Sequence, residues 1–579
     1  MATNQMLATK ESLVAEVNQR MADGIIEEAN AKLLVKLIDN ADDMNEAINI
    51  AALGTTYKRT GFHFDKRLER MSSTIKYFKK DQELSFSLDD GKPINKLIIG
   101  DNYDALQNLL IQYRGSIDVI YIDPPYGKDS MGEFAKTNYN NSLTRDNLIS
   151  MLYNRLILAR ELLTEDGVIF CSIDDRNFAP LKSLFDEIFN ESNCITTFHW
   201  EKTQHFGRQK INFYSNCEYV LCYSKNLRDG QIKELLVEKV NSSLTDAPLY
   251  NASNNVKELE FPANSVRFNI SDGVYEQADN DDYILLEPVE VENGVNKNNL
   301  KLKFKSRWSQ ETIDEEYKKG TTFWVKSTKF AIRTIYREDK TSNIAPKSLI
   351  FTNSNNPLVA NSRFDEKVGT NENASAEIDA IMGVKAFDYS KPVSLIKYLI
   401  SLYYDERLGL HRDNIKVLDF FAGSGTTGQA VMELNTDGGE REFILVQLNE
   451  DLDAALSLNP DNESIKNQIS LCDSIARSHK LAEITAERLR RVMTGKTYNG
   501  EENFKWLGDN SKLGGSLDVY VITEIQSTNN ANNNTPFDVI DETLYGHEKF
   551  VNLKDKIKWV CENFEHTQKY EEDDNATRS

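Results

Sequence analysis

The stretch Ser116-Ile117-Asp118-Val119-Ile120-Tyr121-Ile122-Asp123-Pro124-Pro125-Tyr126-Gly127 decides how the rest of the chain is interpreted. Its residues 118–122 are mostly apolar and β-branched, which predicts a buried parallel strand. Two prolines end that strand, because proline lacks the N–H that the interior of a sheet or helix needs. Open α/β sheets bind ligands at the carboxyl ends of their strands. We therefore expect a functional turn at residues 123–126.

This turn supplies groups that suit chemistry on an exocyclic amino group. Such a nitrogen is a poor nucleophile while its lone pair is delocalised into the base. The Asp123 carboxylate and the Pro124 carbonyl can each accept one of its N–H bonds, which localises the lone pair, and Pro125 keeps the turn rigid. The Tyr126 ring can stack on a base that has left the duplex. An ordinary strand-to-loop turn is the alternative, since four-residue motifs often occur by chance.

A second informative stretch is Ile415-Lys416-Val417-Leu418-Asp419-Phe420-Phe421-Ala422-Gly423-Ser424-Gly425-Thr426-Thr427-Gly428. An apolar strand runs into a glycine-rich turn, and a helix is predicted to begin near Thr427. Glycines let such a turn pass close beneath a bound adenosyl group, because they carry no side chain. The Lys-Ser/Thr ending of a phosphate-binding P-loop is missing. The stretch therefore favours a nucleoside site over a nucleoside triphosphate site.

Acidic residues at two other strand ends are candidates for the same site. The strand 442–450 ends in Glu450, about twenty-five residues past the glycine turn. Nucleoside-binding α/β folds place an acid at such a distance to accept the ribose hydroxyls. Asp451 is a second candidate, and a helix N-cap at Asn449 is the alternative interpretation. Asp101 ends the short strand 96–101, where it can hold a ligand, cap the next helix, or do both.

The stretch from Cys194 to about Asp388 differs from the rest of the chain. It is rich in Asn, Ser, Asp and Lys, and it contains short strand-like runs. Four cations alternate along one predicted strand, and two more follow among the aromatic residues Trp324 and Phe330. These six are Lys301, Lys303, Lys305, Arg307, Lys326 and Lys329. Basic and aromatic residues on a β-rich insert suit phosphate contact and base reading, and a solvated strand face is the alternative.

Composition restricts the class of protein. The net charge of −22 argues against a protein that coats nucleic acid nonspecifically, whereas a local basic patch still permits specific binding. No run of about 18 apolar residues occurs, so we expect no membrane span. Six scattered cysteines lack the spacing of a disulfide framework, which favours a reducing, cytoplasmic location, and their spacing predicts no metal site.

The order of the two main motifs resembles the β class of DNA amino methyltransferases. In that class the catalytic turn comes first, a target-recognition insert follows, and the cofactor turn comes last. More closely, the chain resembles the modification (Mod) subunit of a type III restriction–modification system. Four further stretches carry this resemblance, namely residues 97–102, 169–175, 387–392 and 447–450. The resemblance covers about residues 60–525 of the chain.

The resemblance implies methyl transfer from S-adenosylmethionine to N6 of adenine in double-stranded DNA. It assigns catalysis to the turn at residues 123–126. It places eight residues in the cofactor site: Asp101, Lys391, Asp419, Phe421, Gly423, Gly425, Thr426 and Glu450. It also implies a homodimer in a prokaryotic cytoplasm, with a separate restriction subunit that carries helicase and nuclease activity. N4-cytosine methylation and a non-catalytic DNA-binding protein that kept the fold are the alternatives.

The expected fold class is α/β, with a doubly wound and mostly parallel sheet, because predicted strands and helices alternate. The resemblance specifies a circularly permuted S-adenosylmethionine-dependent methyltransferase fold with an inserted α+β target-recognition domain. The expected domains are a helical N-terminal arm at 1–90, a catalytic half at 91–195, the insert at 196–385, a cofactor half at 386–495 and an extension at 496–579. The arm is interpreted either as a docking or dimerisation element or as a helical cap.

Overall fold

The computed structural model describes residues 9–22, 28–52, 71–88, 91–126, 145–204, 215–227, 236, 238–241, 246–335, 341–351, 368–387, 390–403, 414–526, 535–564 and 567–569. Gly127, Asp388 and Tyr389, which belong to stretches quoted above, lie outside these ranges. The chain divides into two compact units, residues 1–65 and residues 66–579. No helix in the described ranges is long and apolar enough to cross a lipid bilayer.

The first unit contains helices α1 (Lys10–Ala22), α2 (Glu28–Asp39) and α3 (Met44–Ala52). Their apolar faces form a small core of their own, which includes Val17 and Ile38. Lys10 Nζ donates a hydrogen bond of 2.6 Å to the Ala41 carbonyl oxygen and joins the first helix to the end of the second. The predicted helical character therefore holds for the described residues of this unit.

The second unit begins with alternating strands and helices. In chain order they are β1 (Met71–Phe86), β2 (Ile94–Ile99), α4 (Asn102–Tyr113), β3 (Ile117–Ile122), α5 (Arg145–Leu162), β4 (Leu163–Ile173), α6 (Phe178–Phe189), β5 (Cys194–Glu201) and β6 (Cys217–Ser224).

Short strands and one helix follow: β7 (Glu238–Asn241), β8 (Asp246–Pro248), β9 (Val256–Phe261), β10 (Val266–Phe268), β11 (Gly273–Tyr275), β12 (Ile284–Leu285), β13 (Val289–Glu292), β14 (Val295–Asn296), β15 (Leu300–Lys305), α7 (Gln310–Lys318), β16 (Thr322–Val325), β17 (Ile332–Ile335) and β18 (Thr341–Ile344). A seven-stranded sheet in the order β11-β13-β14-β10-β16-β17-β8 and a three-stranded sheet in the order β12-β15-β9 share one core, with Phe261 and Phe323 fully buried. Strands β7 and β18 pair as a separate antiparallel ribbon.

The remaining elements are β19 (Leu349–Ile350), α8 (Asn371–Met382), α9 (Val393–Leu402), β20 (Lys416–Asp419), α10 (Thr426–Leu434), β21 (Glu442–Gln447), α11 (Leu452–Leu458), α12 (Glu463–Ser474), α13 (Leu481–Thr494), α14 (Trp506–Asp509), β22 (Ser516–Gln526), α15 (Pro536–Val539), α16 (Leu553–Phe564) and β23 (Gln568–Lys569).

Within the described residues, the main sheet has eleven strands in the order β19-β5-β6-β4-β3-β20-β21-β2-β22-β1-β23. Its centre, from β4 to β22 in that order, is parallel, and the antiparallel strands β6 and β1 flank it. Successive side chains of a strand point to opposite faces. Val119, Ile120, Tyr121 and Ile122 of β3 are all at most 3% exposed, so both faces of the sheet are covered. The predicted doubly wound, mostly parallel α/β sheet is confirmed.

The main sheet draws strands from outside the predicted catalytic and cofactor halves. Strand β1 lies in the predicted arm, and β22 lies in the predicted extension, where it pairs with β2. Strands β5, β6 and β19 lie within or overlap the predicted insert, yet they belong to the main sheet. The shared core of the insert runs from Leu249 to Ile332. The domain boundaries predicted from local composition excluded these strands from the main sheet, because the strand pairing that places them there joins distant parts of the chain.

Candidate active site

Two turns lie at the same edge of the main sheet. The 123–126 turn follows β3, and the glycine turn, residues 420–425, follows β20. The two strands are parallel neighbours, with Val119 opposite Val417 and Ile120 opposite Leu418. Because parallel strands end at a common edge, the turns that follow them are brought side by side. This adjacency joins the two motifs that are far apart in the sequence.

Asp123 is held on both carboxylate oxygens. The Tyr126 hydroxyl donates to Oδ1 at 2.8 Å, and Lys391 Nζ donates to Oδ2 at 2.8 Å. Lys391 Nζ also donates to the Tyr126 hydroxyl oxygen at 3.2 Å. The Asp123 side chain is 25% exposed and that of Lys391 is 5% exposed. In contrast, no described residue donates to the carbonyl oxygen of Pro124, and Pro125 completes the bend.

A buried glutamate, Glu218, is the fourth member of this cluster. Its Oε2 lies 3.3 Å from Lys391 Nζ, and its Oε1 lies 3.3 Å from Lys202 Nζ. Glu218 is the second residue of strand β6, which runs antiparallel to β4 and therefore starts at the edge where β3 and β4 end. Sequence reasoning missed this residue. The available signal was a single acid at the head of an otherwise apolar strand.

Burial and opposing charges shift the pKa values of the cluster. Burial raises the pKa of Asp123, the Lys391 ammonium lowers it, and the Glu218 carboxylate raises it again, with a net increase. Burial acts to lower the pKa of Lys391, but Asp123 and Glu218 outweigh it and the pKa rises. For Tyr126, burial and the neighbouring Asp123 raise the pKa well above its ordinary value. Lys391 therefore remains charged at neutral pH.

The glycine turn has the backbone conformation that its sequence predicts. Gly423 and Gly425 have φ values of 52° and 81°, in the left-handed region that favours glycine. Helix α13 holds the turn in place, since the Thr485 hydroxyl donates to the Gly423 carbonyl oxygen at 2.7 Å. Buried Arg488 on the same helix donates to Ser424 Oγ at 2.7 Å and to Thr426 Oγ1 at 2.9 Å. Sequence reasoning missed Arg488, which carries no local motif.

Asp419, at the end of β20, supports the first residues of this turn. Its Oδ1 accepts from the Phe421 N–H at 2.9 Å, and its Oδ2 accepts from the Thr427 hydroxyl at 2.6 Å. Burial raises the pKa of Asp419 to about 7, although these two hydrogen bonds lower it. Both carboxylate oxygens accept hydrogen bonds from Phe421 and Thr427, so the described contacts of Asp419 stabilise the glycine turn and the start of α10.

Lys391 was expected in the cofactor site, but its described contacts are with the catalytic turn and Glu218. The preceding residue faces the other way: the Ser390 hydroxyl donates to Ser424 Oγ of the glycine turn at 3.0 Å. Residues 390–391 therefore connect the two turns.

The two acids at other strand ends differ in their contacts. Asp101 caps α4 by accepting from the Tyr103 N–H at 2.8 Å, and Arg155 Nη2 donates to its two oxygens at 3.1 and 3.2 Å. The predicted N-cap of that helix is thus present. Glu450 is partly buried, and burial raises its pKa. No residue that the structure describes forms a hydrogen bond or ion pair with its carboxylate.

The basic residues of the insert lie on its outer faces. Strand β15 alternates buried apolar residues with Lys301, Lys303 and Lys305. Ion pairs of 2.8 Å join Lys301 to Glu287 and Lys303 to Glu258. Arg307 and Lys329 are exposed, and Lys326 Nζ lies 4.6 Å from the centre of the Trp324 ring. Among the residues that the structure describes, glutamates thus pair with Lys301 and Lys303, and the assignment of the set to DNA remains a prediction.

Comparison with known proteins gives family matches along most of the chain. A family described as DNA methylase matches residues 117–455, and a family described as an uncharacterised conserved protein matches residues 10–119. The first match spans both turns and the insert between them.

Three relatives illustrate the similarity. The chain is 28% identical over 479 residues to the type III restriction-modification enzyme StyLTI Mod subunit of Salmonella typhimurium, covering 78% of this chain and 64% of that protein. It is 28% identical over 462 residues to the EcoPI Mod subunit of Escherichia phage P1, covering 71% and 64%. It is 27% identical over 399 residues to the type II methyltransferase M.KpnI of Klebsiella pneumoniae, covering 63% and 84%. The chain thus spans 64% of the length of the two Mod subunits.

Proposed function

Because the chain belongs to the DNA methylase family, we propose that it is a site-specific methyltransferase acting on N6 of adenine in double-stranded DNA. The observation that supports this most is the placement of Asp123 and the glycine turn at the ends of the neighbouring strands β3 and β20. A base gripped by the first turn would meet a methyl donor held by the second. This arrangement is what direct transfer between two bound molecules requires.

The proposed chemistry uses the groups of the 123–126 turn. The Asp123 carboxylate and the Pro124 carbonyl accept the N–H bonds of the amino group, so its lone pair becomes available. Tyr126 stacks on the flipped base. The amino nitrogen is itself the nucleophile, so no covalent enzyme intermediate is needed. The methyl group would pass from sulfur to nitrogen, the donor would leave as a neutral thioether, and the amino group would lose one proton to solvent. Positioning and fixed charges supply the acceleration. In the structure the Tyr126 hydroxyl donates to Asp123 Oδ1 at 2.8 Å, and this oxygen has a second lone pair that can accept an N–H of the base.

We further propose S-adenosylmethionine as the methyl donor; when bound, it supplies an electrophilic methyl group. Gly423 and Gly425, at positive φ, leave the turn without side chains where an adenosyl group would approach. Glu450 offers a partly buried carboxylate without a described partner, which suits the two hydroxyl donors of a ribose. Phe421 and Asp101 complete the proposed contacts, whereas Asp419 and Thr426 shape the turn.

The decisive experiment replaces the carboxylate of the catalytic turn. Asp123→Ala is expected to lower transfer of tritiated methyl groups to mixed-sequence DNA by at least about a hundredfold. Binding of S-adenosylmethionine, measured by calorimetry, should persist. Asp518→Ala is a matched control, because Asp518 also accepts from a lysine (Lys80, 2.6 Å) and from a tyrosine hydroxyl two residues on (3.3 Å). Wild-type-like transfer by Asp123→Ala would disprove the assignment.

Mapping the modified bases separates the proposed product from its near alternative. DNA from cells that express the chain is expected to carry N6-methyladenine at one short recognition sequence. N4-methylcytosine at that sequence would show that the amino chemistry is right and the base is wrong. An absence of methylation, together with specific DNA binding, would favour a non-catalytic binding protein.

The Mod relatives suggest partners for this chain. We propose that it forms a homodimer and that a separate restriction subunit with helicase and nuclease activity associates with it. Light scattering of the purified chain tests the dimer. Co-purification with the product of a neighbouring restriction gene, where the genome carries one, tests the second association.

A further inference from the structure

An alternating row of charges leads away from the catalytic turn, and it is referred to below as the charge row. Its members are Asp123, Lys391, Glu218 and Lys202. The successive Nζ–O distances are 2.8 Å, 3.3 Å and 3.3 Å. Lys391 and Glu218 are 5% and 7% exposed, whereas Lys202 is 20% exposed. The two middle members of the row are thus buried, whereas its two ends, Asp123 (25% exposed) and Lys202, are partly exposed.

The topology explains how these residues meet. Strand β5 ends and strand β6 begins at the catalytic edge, and Trp200 of β5 is the cross-strand partner of Glu218. Lys202 follows β5 directly, and its ammonium contacts Oε1 of Glu218, whereas that of Lys391 lies near Oε2. The amide of Lys202 donates to the Asn216 carbonyl oxygen at 2.9 Å, which closes this end of the hairpin. Glu218 is therefore fixed by a sheet and does not depend on a loop.

The contact between Glu218 and Lys391 is electrostatic. Glu218 Oε2 is fully buried and makes no hydrogen bond to a described residue, although it lies 3.3 Å from the ammonium. The shorter, hydrogen-bonded partner of Lys391 is Asp123. A buried charge that faces two carboxylates divides its attraction between them, because Coulomb interactions are strong in a poorly solvated site.

We propose that Glu218 is a positioning residue that draws part of the Lys391 charge away from Asp123. Asp123 must accept an N–H bond from the substrate amino group, and an ammonium that holds it alone would weaken it as an acceptor. Because of Glu218, the Lys391 ammonium is shared between two carboxylates, and Lys202 balances the negative charge of Glu218. This inference rests on the proposed methyl transfer at Asp123.

Two substitutions at Glu218 separate charge from shape. Glu218→Gln keeps the shape and removes the charge, whereas Glu218→Asp keeps the charge and shortens the side chain. We expect kcat for methyl transfer to fall roughly tenfold to a hundredfold in Glu218→Gln, and less in Glu218→Asp. KM for DNA and the Kd for S-adenosylmethionine should stay close to the wild-type values, because Glu218 is not proposed to touch either molecule.

Glu487→Gln is the matched control. Glu487 is 3% exposed and pairs with Arg491 at 2.7 Å on helix α13, so it is also a buried glutamate beside a cation. It should lower the melting temperature without lowering kcat. In the background of Lys202→Met, Glu218→Gln should lower kcat by a different factor than in the wild type, since coupled residues are not additive.

The outcomes are distinct. A wild-type chain without transferase activity would overturn the proposed function and this inference with it. An active wild type with an equally active Glu218→Gln would overturn the inference alone. The inference also fails if Glu218→Asp has the lower kcat of the two variants, or if the loss of kcat parallels a loss of folded protein. Either result would indicate that Glu218 acts through packing and not through its charge.

Discussion

At the residue scale, the carboxyl group of Asp419 makes stability depend on pH. Its pKa is about 7 in the folded state, because burial outweighs the hydrogen bonds from Thr427 and Phe421, and its ordinary value is 3.8. The folded state therefore binds a proton more tightly than the unfolded state. The stability that this carboxyl contributes is fully present below about pH 4 and is lost as pH rises through about 7.

We predict that Asp419→Asn removes this part of the pH dependence. The free energy of unfolding of the wild type should fall between pH 4 and pH 7, with a slope of at most about 1.4 kcal/mol per pH unit from this group. Urea denaturation of both proteins at several pH values measures the difference. Parallel curves would mean that Asp419 is ionised throughout.

Residues of the site differed in how well sequence predicted them. Asp123 and Tyr126 lie in one turn, so their contact follows from local geometry. Glycine at positions 423 and 425 indicates the left-handed backbone conformation that the structure shows there. Glu218 and Arg488 act through pairs that exist only after folding. Lys391 was predicted to bind the cofactor, whereas its ammonium contacts Asp123 of the catalytic turn. The motif does not specify this choice, because residues 390 and 391 are adjacent in sequence but face different turns.

At the element scale, the glycine turn is a segment whose shape matters for ligand binding. Gly425 has φ +81°, and an added Cβ would make only an ordinary 3.4 Å contact with Thr485 Cγ2. Gly438, at φ +92° after α10, has no neighbour within 4 Å of such an atom. Alanine at either position should cost about 1–2 kcal/mol through the left-handed backbone. Only Gly425→Ala should also weaken S-adenosylmethionine binding in calorimetry. Equal weakening by both variants would contradict the proposal that the glycine turn contacts the adenosyl group.

A buried hydroxyl fastens the C-terminal elements to the main sheet. Tyr545 accepts from the Phe78 N–H of β1 at 2.7 Å and donates to Asn108 Oδ1 of α4 at 2.8 Å. Tyr545→Phe should lower the free energy of unfolding by about 1–3 kcal/mol, because it leaves both buried groups unsatisfied. Tyr275→Phe removes an exposed hydroxyl that donates to the Ser271 carbonyl oxygen at 2.7 Å, and should change stability by less than about 0.5 kcal/mol. Equal effects in denaturation curves would contradict this role.

The elements themselves were predictable where the local pattern is strong. The apolar runs of β3 and β20 and the alternation around them specified a parallel sheet. Strand β1 was missed because Lys76, Lys79 and Lys80 make its sequence resemble a charged helix. Its register is fixed by antiparallel pairing with β22, which lies more than four hundred residues further along the chain.

At the scale of the whole molecule, the strands that lead into and out of the insert are paired with each other. Strands β7 and β18 pair with Asn241 opposite Thr341, and strands β8 and β17 pair with Asp246 opposite Ile335. The chain therefore leaves and returns at points about 5 Å apart, as paired strands do. The insert also has a core of its own.

Removal of the insert should therefore separate the two proposed tasks. A variant in which a short Gly-Ser linker replaces residues 246–335 is expected to fold and to bind S-adenosylmethionine, because the linker need span only neighbouring strands. It should lose methylation of duplex DNA. Calorimetry and a methyl-transfer assay measure the two properties, and sequence-specific methylation by the shortened chain would show that recognition lies elsewhere.

The paired ribbon of β7 and β18 also has a consequence for inheritance. The chain enters and leaves the insert through one pair of strands, so recombination between related genes needs only two breakpoints to exchange the whole insert. The catalytic turn, the glycine turn and the strands beneath them would pass through such an exchange untouched. Under the proposed function, in which the insert reads the DNA, such an exchange would give a lineage a new target sequence in a single genetic event.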